Sequence, residues 1–201
     1  MTDRTAPAAH PIAAPFAARW SPRSYEDRAV PDAALAQVLE AARWASSCFN
    51  DQPWNFILAR KGREEDGYAK LFSCLSQNNQ GWAGRAPVLM LGVARTAFAH
   101  NGNPNRHAAY DLGQATANLA AQAATLGLQA HQMAGFDAAK AREAFAIPEG
   151  FDPLVMLTLG YPGAAAALPE ALATREAAPR ARKGISEFTH LGAWGAAGSP
   201  A

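Results

Sequence analysis

Ser46-Ser47-Cys48-Phe49-Asn50-Asp51-Gln52-Pro53-Trp54-Asn55-Phe56 is the stretch on which the reading of this chain turns. A helical pattern stops here and a strand pattern starts. Upstream, the run from Pro31 to Trp44 places Leu35, Val38, Leu39 and Ala42 at helical spacing, with Asp32 as the expected N-cap. The polar string from Ser46 to Gln52 breaks that helix, and Pro53 bars its continuation, because the residue before a proline is pushed out of the α region. Downstream, Asn55-Phe56-Ile57-Leu58-Ala59 reads as a strand. The loop between them gathers hydroxyls and amides. Amides both donate and accept, so such a loop suits the polar edge of a flat heterocycle. Taken alone, it reads more readily as a plain turn with Trp54 in the core.

Trp20-Ser21-Pro22-Arg23 reads as a turn, and Gly67 to Leu75 as a helix. Pro87 to Ala94 is a continuous apolar run, the pattern of a central strand buried on both faces. The loop from His100 to Asn105 is dense in turn formers. A long helix is predicted from about Arg106 to Leu126, apolar almost all round, so it belongs in the interior or at a subunit contact. Gly127 is placed to cap it. Leu128–Met133 is a further strand, Asp137–Phe145 a helix, and Leu154–Leu159 the last clear strand. From Gly163 to Arg182 the chain is Ala/Pro-rich, and it is expected to lie extended on something else. Residues 1–15 are expected to form a flexible N-terminal arm, and 16–201 a single domain with an extended C-terminal tail. Loosely alternating helices and strands predict an α/β or α+β domain.

The 201 residues are enough for one domain with a sizeable core. Lys+Arg 18 against Asp+Glu 17 leaves a net charge of +1, which argues against a dedicated nucleic-acid binder. Cys48 and Cys74 cannot build a disulfide framework, so a reducing compartment is expected. The first residues are broken by prolines and lack an apolar run, so no leader is expected. No stretch approaches the roughly 20 apolar residues of a membrane span. A soluble, cytoplasmic protein is the expectation.

The sequence has no G-x-x-x-x-G-K-[ST] loop, no G-x-G-x-x-G after a strand and no G-x-S-x-G elbow. His100 and His107 share a loop without ligands at zinc-like spacing, so no metal site is expected. Cys48 reads as a small, inert thiol. Two basic clusters remain beside the amide loop. Arg19-Trp20-Ser21-Pro22-Arg23 carries two guanidinium forks and a hydroxyl, groups that match phosphate oxygens. Arg180-Ala181-Arg182-Lys183 sits where the tail could close over an anion. Together these suggest a phosphorylated planar ligand. Flavin mononucleotide fits, although composition does not choose it over other nucleotides.

These residues resemble the nitroreductase family of flavin-dependent oxidoreductases. RWSPRSYEDRAVPDAALAQVLEAARWA is similar to the family's opening R-x-S-x-R motif, turn and helix. SSCFNDQPWNF resembles its P-S-x-x-N-x-Q-P-W-x-F loop, and GWAGRAPVLMLGVA its central strand. HQMAGFDAAKAREAFAIPEGFDPLVMLTLGYP resembles the G-F-D-x-x-K segment and the strand ending G-Y-P, and RARKGISEF the basic closing motif. The resemblance runs from about residue 16 to residue 190. It implies an α+β fold, with a mixed central sheet flanked by helices, in an intertwined homodimer whose tail embraces the partner. It implies FMN in the dimer interface and a ping-pong transfer of electrons from NADPH or NADH to nitroaromatics, quinones or similar electrophilic acceptors.

Carried over by position, Arg19, Ser21 and Arg23 would hold the phosphate and ribityl end, with Arg182 and Arg180 adding charge from the tail. Ser47, Asn50 and Gln52 would come from the other subunit. Asn79 would meet the ring's polar edge. The backbone of Ala134 and Gly135 would face flavin N5 and O4. His107 or Tyr110 would border the substrate. No side chain is implied as nucleophile or base. In two places the chain departs from the family pattern: Ser46 replaces a proline, and Ala134 stands where glutamate is frequent. The resemblance also admits a specialised substrate (enal reduction, dehalogenation) or a flavin-binding protein without turnover.

Overall fold

The structure, a computed structural model, describes residues 4–198. One four-stranded sheet lies at the centre, in the order β1-β2-β4-β3. The strands are β1 (Trp54–Arg60), β2 (Val88–Arg95), β3 (Gln129–Met133) and β4 (Phe151–Gly160). The α+β expectation holds. All three ladders are antiparallel, however, where a mixed sheet was expected. The helical crossover from β2 to β3 does make those two strands run parallel, but β4 is inserted between them, so no parallel ladder forms among the described residues.

Strand β2 explains the two-sided core. Its run Val88–Ala94 is buried throughout, and successive side chains point to opposite faces. Val88 and Met90 join a cluster with Val38 of α2 (Asp32–Arg43) and with Ala115 and Leu119 of α5 (Ala108–Thr125). Leu89, Leu91 and Val93 face the other way. They meet Leu71 of α3 (Glu65–Cys74), Trp82 of α4 (Gln77–Ala83) and Ala141 of α6 (Ala138–Ala144). A short α1 (Ala14–Ala18) precedes all of these.

The predicted helices and strands appear with their ends moved by at most three residues, the largest shift being the start of β4 at Phe151 rather than Leu154. Gly127 takes φ +71°, and the Leu128 N–H bonds to the Ala123 carbonyl, closing α5 as expected. Two expectations are corrected. Asp32 is not a cap: Pro31 precedes the helix, and the Asp32 carboxylate instead accepts from Arg60 and Arg63. The segment 163–182 is not wholly extended. It contains α7 (Glu170–Ala177), anchored by buried Leu168 and Glu176. Alanine's high helix propensity favours α7, while the scarcity of large apolar residues hides it from pattern reading.

Candidate functional site

The R-x-S-x-R segment lies along edge strand β3. The Trp20 N–H donates to Gln129 Oε1 at 2.9 Å, and Gln129 Nε2 donates to the Ala18 carbonyl at 3.1 Å. Two residues further along β3, His131 Nδ1 meets the Pro22 carbonyl at 2.8 Å. Arg19 Nη1 then lies 3.4 Å from Ser21 Oγ. Arg19, Arg180 and Arg182 line a cavity of about 730 Å³ with an apolar rim that includes Ile12, Phe16 and Phe188. Burial, and then the charge of Arg182, lower the Arg19 pKa. Among the described residues no carboxylate pairs with Arg19, Arg180 or Arg182. A partly buried cluster of guanidinium groups without a counterion is a ready anion site.

Not every expected arginine is free to serve there. The Arg23 guanidinium pairs with Glu176 at 3.5 Å. Arg180 donates to the carbonyls of Arg4, Ala17 and Arg19, tying the N-terminal residues to the tail. Arg19 and Arg182 carry the open donors.

The far end of β3 brings Asn79 and Gly135 together. Asn79 Nδ2 donates to the Gly135 carbonyl at 2.9 Å, and the Ser76 N–H does the same at 2.9 Å. A Cβ on residue 135 would lie 2.8 Å from both Asn79 Nδ2 and Ser76 Oγ, so any other residue here would displace one of these side chains. Among the described residues nothing accepts from the Ala134 or Gly135 N–H.

The amide loop leads into β1, at the opposite edge of the sheet. Four strands separate the edges by about 14 Å, so one chain does not close this loop onto Gly135. The Gln52 N–H donates to Ser47 Oγ at 3.0 Å, and Gln52 Nε2 to the Asn50 carbonyl at 3.1 Å. Phe49, Asn50 and Gln52 all adopt left-handed φ, between +49° and +54°. Two carboxylates that the sequence reading missed hold this geometry. Asp51, its side chain 1% exposed, accepts from Arg95 Nη2 at 3.0 Å and from the Ala99 N–H at 2.8 Å. Asp111, in the first turn of α5, accepts from the Cys48 N–H at 3.1 Å. The only sequence signal for them was an acid inside a polar loop and an acid at a helix start.

His107 immediately precedes α5, and its N–H donates to Asn105 Oδ1 at 3.0 Å. Tyr110 stands exposed one turn on. Among the described residues no group of three or more His, Cys, Asp or Glu side chains is placed to hold a metal ion, and no helix is long and apolar enough to cross a membrane.

This architecture is that of the nitroreductase-like α+β oxidoreductases. The chain belongs to the nitroreductase family, whose profile matches residues 16–161. It is 34% identical over 146 residues to the "Uncharacterized 15.4 kDa protein in ask 5'region" of Mycolicibacterium smegmatis, covering 70% of this chain and 97% of that one. It is 28% identical over 163 residues to a Stenotrophomonas maltophilia protein named "Putative NADH dehydrogenase/NAD(P)H nitroreductase", covering 71% of this chain and 81% of that one. A solved structure described as an oxidoreductase containing FMN superposes with a TM-score of 0.89 at 32% identity, covering 96% of this chain and 98% of the other.

Proposed function

We propose that the protein is an FMN-dependent oxidoreductase. It would take electrons from NADH or NADPH and pass them to nitroaromatic, quinone or similar electrophilic acceptors in a ping-pong cycle. The observation that carries this reading is the pair Arg19 and Arg182, without a carboxylate partner among the described residues, at one end of the β3 strip, with N–H groups that nothing among the described residues accepts from at the other. Gln129 to Gly135 spans six residues of extended chain, about 20 Å, which suits a ring joined to a phosphate by a short polyol.

Arg19, Arg182 and Ser21 would grip the phosphate. Arg23 and Arg180 would shape that grip through Glu176 and through the carbonyls they tie. Asn79 would border the polar edge of the ring, and the Ala134 and Gly135 N–H groups would donate to it. Bound FMN supplies the acceptance of hydride and its release as electrons. A donor fixed beside developing negative charge favours it without reorganisation.

Ser47, Asn50 and Gln52 would reach the cofactor from a second copy, which the opposite-edge placement supports. Exposed Trp44, Phe188, Leu191 and Trp194 give such a homodimer apolar surface to cover. Residues 16–201 form one domain in this reading. Free Cys48 and Cys74 suit the cytoplasm.

The test is the visible spectrum of the purified protein, before and after anaerobic addition of NADH or NADPH. A flavin spectrum bleached by either donor is expected. A flavin spectrum that neither donor bleaches supports a binding protein without turnover. A colourless protein that takes up no added FMN overturns the reading.

A further inference from the structure

We propose that Phe49, Phe98 and His100 form a ring-binding subsite selective for planar aromatic acceptors that carry an oxygen atom; this rests on the function proposed above. The three rings touch one another on an exposed face. Phe49 and Phe98 meet edge-on at 5.6 Å and 79°. Phe49 and His100 lie 5.6 Å apart at 64°, and Phe98 and His100 lie 5.4 Å apart at 46°.

Three further observations distinguish this cluster from an incidental surface patch. Phe49 is 78% exposed, so little of its surface is explained by the chain's own core. Its φ is +54°, a backbone region that a bulky side chain rarely adopts and that is typically retained where surrounding structure enforces it. That enforcement is visible in the buried Asp51 carboxylate, which ties the Phe49 loop to Arg95 and to the Ala99 N–H between Phe98 and His100. One carboxylate therefore fixes both halves of the aromatic cluster.

The chemistry follows from the groups present. Edge and face positions around Phe49 accept a further flat ring, since aromatic pairs prefer such offset or edge arrangements. The His100 imidazole can donate an N–H to a nitro or quinone oxygen. The Arg95 charge is already compensated by Asp51 at 3.0 Å. Asn50 and Gln52, assigned above to the flavin, sit in the same loop, which sets the rings beside the reacting centre.

The test uses FMN-loaded protein and Phe49→Ala, with Phe49→Gly as the variant that fits the left-handed backbone and Phe49→Tyr as the conservative one. Menadione is the aromatic acceptor, and ferricyanide, which needs no ring contact, the control. Isothermal titration with 4-nitrobenzoate reads binding apart from turnover. Both truncations should raise the menadione KM and the nitrobenzoate Kd about five- to tenfold. The Tyr variant should restore both, with ferricyanide turnover, FMN retention and oligomeric state unchanged. Equal losses with both acceptors, no loss with either, or a change of oligomeric state would overturn the subsite. Wild-type protein that binds no FMN would instead overturn the functional reading beneath it.

Discussion

Glu176 and Arg23 lie 153 positions apart in the chain, and one carboxylate joins them twice: Oε1 accepts the Arg23 N–H at 2.7 Å, while Oε2 faces the Arg23 guanidinium at 3.5 Å. The Ser24 N–H, fully buried, donates to the same Oε1 at 3.2 Å. The tail helix therefore fixes the backbone of the turn proposed above to hold the phosphate. Glu176→Ala leaves two N–H groups and a guanidinium without this partner, and should cost about 2–3 kcal/mol in urea unfolding. Glu176→Gln keeps an oxygen acceptor and should cost less. Equal losses in the two variants would show that the two N–H bonds contribute little.

Arg19→Ala and Arg182→Ala each remove one open fork from the cavity. Each should weaken FMN binding about 10- to 100-fold, with little change in unfolding midpoint. Arg23→Ala should behave differently and lower stability as well, because it leaves Glu176 buried without its cation. Fluorescence titration with FMN beside thermal unfolding separates the two patterns. Unchanged FMN affinity in both Arg19 and Arg182 variants would remove the phosphate assignment.

Gly135→Ala would place a methyl 2.8 Å from Asn79 Nδ2 and from Ser76 Oγ. Asn79 must then move and lose its bond to the Gly135 carbonyl. A destabilisation of about 1–3 kcal/mol is expected, with faster loss of FMN on dilution. A variant that keeps its flavin and its wild-type midpoint would show that the Asn79 contact is dispensable.

His131 should make stability fall in mild acid. Burial first, and the Arg23 charge with it, disfavour the imidazolium; the Pro22 carbonyl and Glu176 only partly offset this, so the folded pKa lies below the ordinary 6.5. As pH falls, the unfolded chain binds this proton first. The His131 contribution is therefore complete above 6.5 and is lost as pH drops from there toward the folded value. Glu40 and Glu64, each held at about 2 chiefly by hydrogen bonds from Arg43 and Arg60, titrate well below this window. Urea midpoints between pH 7.5 and pH 5 should fall less steeply in His131→Gln than in wild type. Parallel falls would assign the slope to other groups.

Much of this fold is legible in the sequence where one pattern dominates. The run Val88–Ala94 admits no reading but a two-sided strand, and Leu35, Val38 and Ala42 define the buried face of α2. Helix α7 was illegible because its burial rests on a few anchors, Leu168 and Glu176 among them, in an alanine-rich stretch. The basic and amide clusters of the candidate site could be found from residue types alone. Which arginine remains open could not, since Glu176 reaches Arg23 and Arg4 reaches Arg180 only through the tertiary fold. Asp51 was hidden for the same reason: its partners Arg95 and Ala99 lie at and beyond the end of β2, with β1, α3 and α4 in between.

Strand β4 is the last of the four to leave the ribosome, yet it is an inner strand, pairing with β2 on one side and β3 on the other. Until residues 151–160 emerge, the nascent chain can form only the β1–β2 ladder, with the unpaired backbone edge of the apolar strand Val88–Arg95 open to other chains. Synthesis that stalls before Phe151 should therefore yield aggregates or chaperone-bound chains, and efficient expression should depend on how quickly translation passes that point.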